Sequence, residues 1–387
     1  MKNRTIFASV LLLLICGGVL VGTDLPLTNE NKTEQPIKID QEVPPLKGNL
    51  SITSSREFKN LKLFLIEGNE QLKEKDYVPL ARALEKGWVT VHETSNVNAL
   101  SVSNNSDHFV YIAAGDIVEG GKQDRTLQDD LIVGPGTRKE NLASFCVESG
   151  RWKQRGKEST GTFASANYCL SSNELKVASR VNRDQQVVWS KVAENNGSLS
   201  ASLSKSEGKS YNISSEKSPT SLNLALQDTL LNQRIDEITE YFEGFLASTE
   251  NEMGYAYAIN GEVMAVELYN NSQLLNELWD KLLKAMITES MAKESEVEYD
   301  SSTASEVAFL INEKKDLFEN RNLNKHTDLK SFENEEAQLI ELSTIDRKAE
   351  NKWLHKSILK TPEKSTNKKK NPIRQMRYND LEEIFGQ

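Results

Sequence analysis

Cysteine and histidine are scarce, at three and four of 387 residues. They nowhere combine with Asp or Glu at the spacing of a zinc site. The chain also lacks a G-x-x-x-x-G-K-[ST] phosphate loop, a dinucleotide fingerprint and a G-x-S-x-G nucleophile elbow. Cys16 falls within an N-terminal apolar run, which leaves Cys146 and Cys169 for the body of the chain. Two cysteines exclude a disulfide-rich scaffold. A Cys146–Cys169 bridge and a reduced, buried Cys146 are both open. None of His92, His108, His326 and His355 is near Cys146 in sequence, so a thiolate nucleophile has no evident base. Positive charge is in deficit, with 47 Lys and Arg against 57 Asp and Glu and a net charge of -10. That balance argues against a general nucleic-acid binder.

The N-terminus is rich in what the rest lacks. Lys2 and Arg4 precede an apolar run from Ile6 to Val21, the pattern of a signal peptide over residues 1–22. An uncleaved anchor is the alternative, since the run is about as long as the shortest spanning helices, near 17 residues. Lipid attachment at Cys16 is disfavoured because Leu14-Ile15 lacks the customary small residue. Either reading places the protein outside the cytoplasm, periplasmic or in the cell envelope, with membrane contact only through this segment. Residues 23–57, with Pro26, Pro36, Pro44 and Pro45, carry few large apolar residues and read as a disordered spacer. At the other end, Lys364, Lys368, Lys369, Lys370, Arg374 and Arg377 make 361–387 a basic tail, either a solvated terminus or a docking segment for an acidic protein.

Between these ends the patterning predicts one α+β domain over 58–360. Its N-terminal part, 58–150, is expected to be a mainly antiparallel β assembly, and 171–360 helices packed on β-hairpins. Residues 61–66, 88–92, 97–102, 131–133 and 142–147 read as strands, and the nearly unbroken apolar run Phe109–Ala114 as a central one. Pro79 and Gly87 bracket a short helix. Residues 173–183 and 186–193 are helical in pattern. Residues 195–220, rich in Ser, Asn, Lys and Gly, read as a flexible insertion. Helices are expected around 230–246, after Ser272 as a cap, and over 304–318. Asn260-Gly261 between two alternating runs predicts a hairpin, and 338–342 with 353–359 a final strand pair.

Two stretches hold polar residues that packing does not require. The first is Asp116 to Arg125, just past the predicted central strand. Gly120 and Gly121 can turn successive backbone N–H groups onto one anion. Lys122, Gln123 and Arg125 could add contacts, the Arg through its planar fork. The bland alternative is a solvated hairpin whose cations pair with nearby carboxylates. The second stretch is Cys146 to Trp152. Glu148 and Asp116 are the acid/base candidates, and Arg151 and Trp152 the ligand-binding ones; an ion pair for Arg151 and a core position for Trp152 are the alternatives.

These segments resemble the ARG and rhodanese-phosphatase-superfamily-associated protein domain, where ARG denotes ADP-ribosylglycohydrolase. The resemblance rests on Leu84-Glu85-Lys86-Gly87, on Gly115 through Arg125 (GDIVEGGKQDR) and on Cys146-Val147-Glu148 with Gly150-Arg151-Trp152 (CVExGRW). It extends to Gln186-Val187-Val188-Trp189 and to Leu268-Tyr269 ahead of Leu278-Trp279. It covers about residues 58–290 and, more loosely, reaches 360. The chain departs from the pattern in having Asp124 where Asn is usual, and in its divergent last third. The resemblance implies a nucleotide or ADP-ribose-related ligand by association, names no reaction and leaves the cofactor unknown.

Two functions follow. In one, the domain binds a phosphate-bearing small molecule at GGKQDR and CVExGRW. In the other, it is a non-catalytic envelope scaffold with structural motifs and a docking tail. An open pocket shared by Arg125 and Arg151 would favour the first, and burial of both against carboxylates the second.

Overall fold

The structure is a computed structural model that describes residues 43–361, apart from residues 152, 167, 169, 248, 250 and 296–300, and the backbone of 37–38. The signal or anchor, most of the spacer and the basic tail lie outside the described residues. Among the described residues no helix is long and apolar enough to cross a membrane.

The chain begins with β1 (Ile37–Lys38), β2 (Ser51–Phe58), β3 (Leu61–Glu67), β4 (Tyr77–Pro79) and α1 (Leu80–Glu85). There follow β5 (Val89–Asn96), β6 (Ala99–Asn104), β7 (Phe109–Ile112), β8 (Ile117–Gly120), β9 (Arg125–Leu127), β10 (Leu131–Val133), β11 (Glu140–Cys146) and β12 (Thr162–Ser165). A helical layer comes next: α2 (Asn173–Val177) running into a π-helical turn, Ala178–Asn182, then α3 (Gln185–Glu207), α4 (Leu222–Leu226) and α5 (Thr229–Tyr241). The hairpin β13 (Glu252–Ile259) and β14 (Glu262–Tyr269) leads to α6 (Ser272–Ala292) and α7 (Ala304–Asn312). Four strands close the order: β15 (Asp316–Asn322), β16 (Thr327–Asn334), β17 (Leu339–Asp346) and β18 (Lys352–Lys360).

The α+β class holds, but the strands are not divided between the two halves as the sequence suggests. A nine-stranded sheet runs β1-β2-β3-β13-β14-β18-β17-β16-β15, so β3 from the first part pairs with β13 from the second. Six strands, β11-β6-β5-β12-β8-β9, close a barrel, and β10-β7-β4 form a third sheet in which β7 is central. Phe109–Ile112 is thus the predicted central strand, with Val110, Tyr111 and Ile112 fully buried. The barrel core includes Val91, Leu100, Val102, Val118, Leu127 and Phe163. The large sheet is covered on both faces. The apolar stripe of α6, including Leu275, Leu278 and Leu282, belongs to the main core. Val307, Leu310 and Ile311 of α7 pack with Phe64, Ala256 and Val266 in a separate cluster.

Some local expectations fail for identifiable reasons. Residues 195–207 are helix, not flexible insertion. Val188, Val192, Asn196, Leu199 and Leu203 form one buried stripe at helical spacing, which the intervening Ser and Asn residues conceal. Asp184 caps the start of that helix and Gly208, in the left-handed region, ends it. The predicted helix 304–318 stops at Asn312, and 316–322 is a strand. Asn271 rather than Ser272 caps α6, its side chain accepting from Leu274 N at 2.7 Å. Strand β2 begins at Ser51, inside the span read as spacer. The Asn260-Gly261 hairpin forms as expected, with both residues at positive φ.

Candidate functional site

Gly121 to Asp124 connect β8 to β9, a hairpin in the barrel wall. A side chain added at its tip would force its neighbours to shift: a Cβ on Gly121 would lie 2.3 Å from Phe163 Cζ and 2.8 Å from Glu93 Oε2. The turn does hold anions with backbone amides, but they belong to the chain itself. Gly120 N donates to Asp124 Oδ1 at 3.1 Å, and Asp124 N to Glu148 Oε2 at 3.1 Å. Gly121 N donates to the Ser159 carbonyl at 2.8 Å.

Around these carboxylates the two motifs close into one buried ionic cluster. Arg151 Nε reaches Glu148 Oε1 at 2.6 Å, and Arg151 Nη2 lies 3.5 Å from Asp124 Oδ1. Arg155 forks onto Asp124, Nη1 to Oδ2 at 2.9 Å and Nη2 to Oδ1 at 3.1 Å, and also touches Glu148 Oε1 at 3.2 Å. Ser221 Oγ donates to Asp124 Oδ2 at 3.1 Å while accepting from Leu224 N at the start of α4. Gln123 Nε2 donates to the Glu148 carbonyl at 2.6 Å. Arg125 is 1% exposed; its Nη1 donates to the Gln123 carbonyl at 2.8 Å, and its Nη2 lies 3.9 Å from Glu93 Oε2. Burial opposes ionisation of Glu148, yet Arg151, Ser218 and the Asp124 amide together outweigh it and hold the carboxyl below its ordinary value. Asp124 goes the other way: burial and the adjacent Glu148 push it up despite Arg155.

Arg155 and Ser221 were not among the residues singled out from sequence. Arg155 stands in a polar, Gly/Ser-rich stretch, where only its spacing of four from Arg151 hints at a role. Trp152 and Cys169 lie outside the described residues. Cys146 is a free, fully buried thiol 3.8 Å from the Val97 carbonyl oxygen. Burial raises this thiol to about 11, which keeps it un-ionised.

Asp116 does not join the cluster. Its Oδ2 accepts from Ala113 N at 2.9 Å, and its Oδ1 pairs with Lys281 of α6 at 3.3 Å. These two side chains border an open cleft of about 550 Å³ between α1 and α6, whose other charged residues include Arg82, Lys86 and Glu277.

A second buried network, not foreseen from sequence, ties the barrel side to the large sheet. Asp130 Oδ2 accepts from Thr344 Oγ1 at 2.7 Å, His355 Nδ1 at 2.9 Å and Arg180 Nη2 at 3.2 Å, while Oδ1 accepts from Ala114 N at 2.8 Å. His355 Nε2 lies 2.9 Å from Glu267 Oε2, and Lys176 lies 3.7 Å from the other Glu267 oxygen. Burial disfavours the imidazolium, but the flanking carboxylates raise His355 above its ordinary value. All these side chains are buried.

The model of the ARG and Rhodanese-Phosphatase-superfamily-associated Protein domain, ARPP-1, matches residues 49–359. The chain belongs to this family. The ARPP-1 match runs from just before β2 to the end of β18 and so takes in both buried networks. No curated protein and no solved structure matches the chain significantly. Among the described residues no group of three or more His, Cys, Asp or Glu side chains is placed to hold a metal ion.

Proposed function

We propose that this ARPP-1 chain is an exported, non-catalytic binding scaffold in which GGKQDR and CVExGRW are structural motifs. The observation that carries this reading is the closure of Asp124, Glu148, Arg151 and Arg155 on one another, with exposures of 0%, 0%, 7% and 6%. A phosphate group entering here would have to displace two buried carboxylates from their guanidinium partners, and would leave them uncompensated. Partner contact then falls to the surface. The basic tail 361–387 is the candidate docking segment for an acidic protein.

Calorimetry of the exported chain against ADP-ribose, nucleotides and sugar phosphates tests the reading. The expected result is no saturable heat at this cluster, together with an Arg151→Ala variant that melts several degrees lower. Saturable binding that Arg151→Ala abolishes without lowering the melting temperature would sink it.

One observation favours a second reading. The cleft beside Asp116 and Lys281 is within the roughly 300–1,000 Å³ typical of small-molecule sites, and it is lined by charges of both signs. Under this reading a small charged ligand binds there, with Arg82, exposed at the rim, as a contact. Binding that Arg82→Ala weakens and Arg151→Ala leaves intact distinguishes the two.

A further inference from the structure

The described residues include three exposed large apolar side chains: Phe309 (52%), Leu317 (55%) and Phe318 (48%). Phe309 is on α7; Leu317 and Phe318 are on β15, across the connection 313–315. Strand β15 is the last strand of the nine-stranded sheet, and among the described residues no strand pairs with its outer edge. Its register slips between Leu317 and Glu319, which bends the strand and leaves Phe318 as the extra residue. A bulge moderates an open edge without covering it, and exposed apolar residues on such an edge invite an added segment.

The topology says which segment is at hand. The pairs Asp316↔Glu333, Asn334↔Leu339 and Leu339↔Lys360 put the start of β15 and the end of β18 at the same end of the sheet. Three strand spacings separate them, roughly 14 Å. The chain beyond Thr361 leaves from this end, and residues 361–380, if extended, span that distance several times over. Charge is complementary. Glu313, Asp316, Glu333, Glu335 and Glu336 cluster there, whereas the departing chain carries Lys364, Lys368, Lys369, Lys370, Arg374 and Arg377. Of the basic residues at this end, Lys314 offsets Asp316, pairing with it at 3.0 Å, and Lys315 turns inward towards Glu341. Past the basic run, Leu381, Ile384 and Phe385 have the i, i+3, i+4 spacing of one apolar helix face, which needs a surface to cover it.

We propose that the chain's own C-terminal segment docks on this edge. Leu381, Ile384 and Phe385 cover Phe309, Leu317 and Phe318, and the basic run crosses the acidic end of the sheet. Tethering favours this occupant, because a short linker raises the local concentration of the tail to about millimolar. Docking covers the β15 edge of the large sheet, and it withdraws the basic tail from other partners until an acidic competitor releases it. The inference goes beyond the scaffold reading and does not depend on the motif cluster.

Hydrogen exchange of the full chain tests it, with the triple substitution L381S/I384S/F385S as the variant. Those positions lie outside the matched domain, so the variant is expected to fold cooperatively and to melt only slightly lower, by the stabilisation that docking adds. Exchange over 309–322 should be at least ~10-fold faster in the variant, as for an edge that is closed in most molecules and then opened. Equal exchange in the two chains overturns the proposal. So does protection that grows with protein concentration alongside a dimer in sedimentation, since the occupant would then be a second copy. A second variant, L317S/F318S, should speed exchange over 378–387 in the tail; no change there also counts against docking.

Discussion

Arg155 shows how much one residue can hold in this protein. It faces Asp124 with both terminal nitrogens and also reaches Glu148, all inside the barrel wall. Arg155→Ala would leave two buried carboxylates with one guanidinium, and removing one side of a buried pair costs about 3–5 kcal/mol. Adding Asp124→Asn should recover part of that loss, because the stranded charge disappears with it. Urea denaturation of the single and double variants checks this, and a double variant less stable than the single would contradict it. His355 gives a pH prediction. Its folded value is raised above 6.5, so its stabilisation is fully present below about pH 6.5 and is lost as pH rises through the folded value. Unfolding free energy should therefore fall on the alkaline side in the native chain and be flatter in His355→Gln; a steeper fall in the variant would refute the assignment. Asp130 and Glu267 act at the other limit. Arg180 and His355 draw Asp130 well below its ordinary value against the effect of burial, and Lys176 and His355 do the same for Glu267. Their contribution is present above the ordinary carboxylate range and is lost as acid protonates them.

At the scale of elements, the β8–β9 hairpin is tied to the barrel by its glycines. Gly121 has φ +54 with Phe163 and Glu93 against it, whereas Gly136 has φ +65 and nothing within 4 Å of an added Cβ. Gly121→Ala should cost about 1–3 kcal/mol through overpacking in addition to backbone strain, and Gly136→Ala only about 1 kcal/mol of strain. Thermal unfolding of the two variants compares them directly; equal losses would mean that the contact with Phe163 does not matter. The hairpin itself was legible in the sequence, since paired glycines after an apolar strand mark a turn. The identity of its anion was not. Spacing shows that amides can converge, but only the approach of β11 and the loop to Arg155 determines that Asp124 and Glu148 fill the position. The α3 stripe was illegible for a different reason. Polar residues outnumber the buried positions of the stripe, so the period is diluted although the packing is intact.

On the scale of the whole molecule, the large sheet interleaves the two ends of the chain. Strand β2 pairs with β3, β3 with β13, and β14 with β18. A fragment ending near residue 170 would leave β3 without β13 and its apolar face without α6. It should therefore show no cooperative thermal transition, while residues 43–361 together should unfold in one. A fragment that melts cooperatively on its own would show that the barrel is autonomous.

The sequence by itself determined the α+β class, the principal strands, the Asn260-Gly261 hairpin, the final strand pair and the family, because these follow from local period, turn chemistry and motif order. Only the tertiary structure decided what the conspicuous polar residues face. Arg125, Arg151 and Glu148 look the same in sequence whether they meet a ligand or one another. The contacts that separate those cases come from Arg155, Ser221 and Glu93, which reach the cluster through folding rather than through sequence proximity. The same holds for Asp130 and His355, which are 225 positions apart and 2.9 Å from each other.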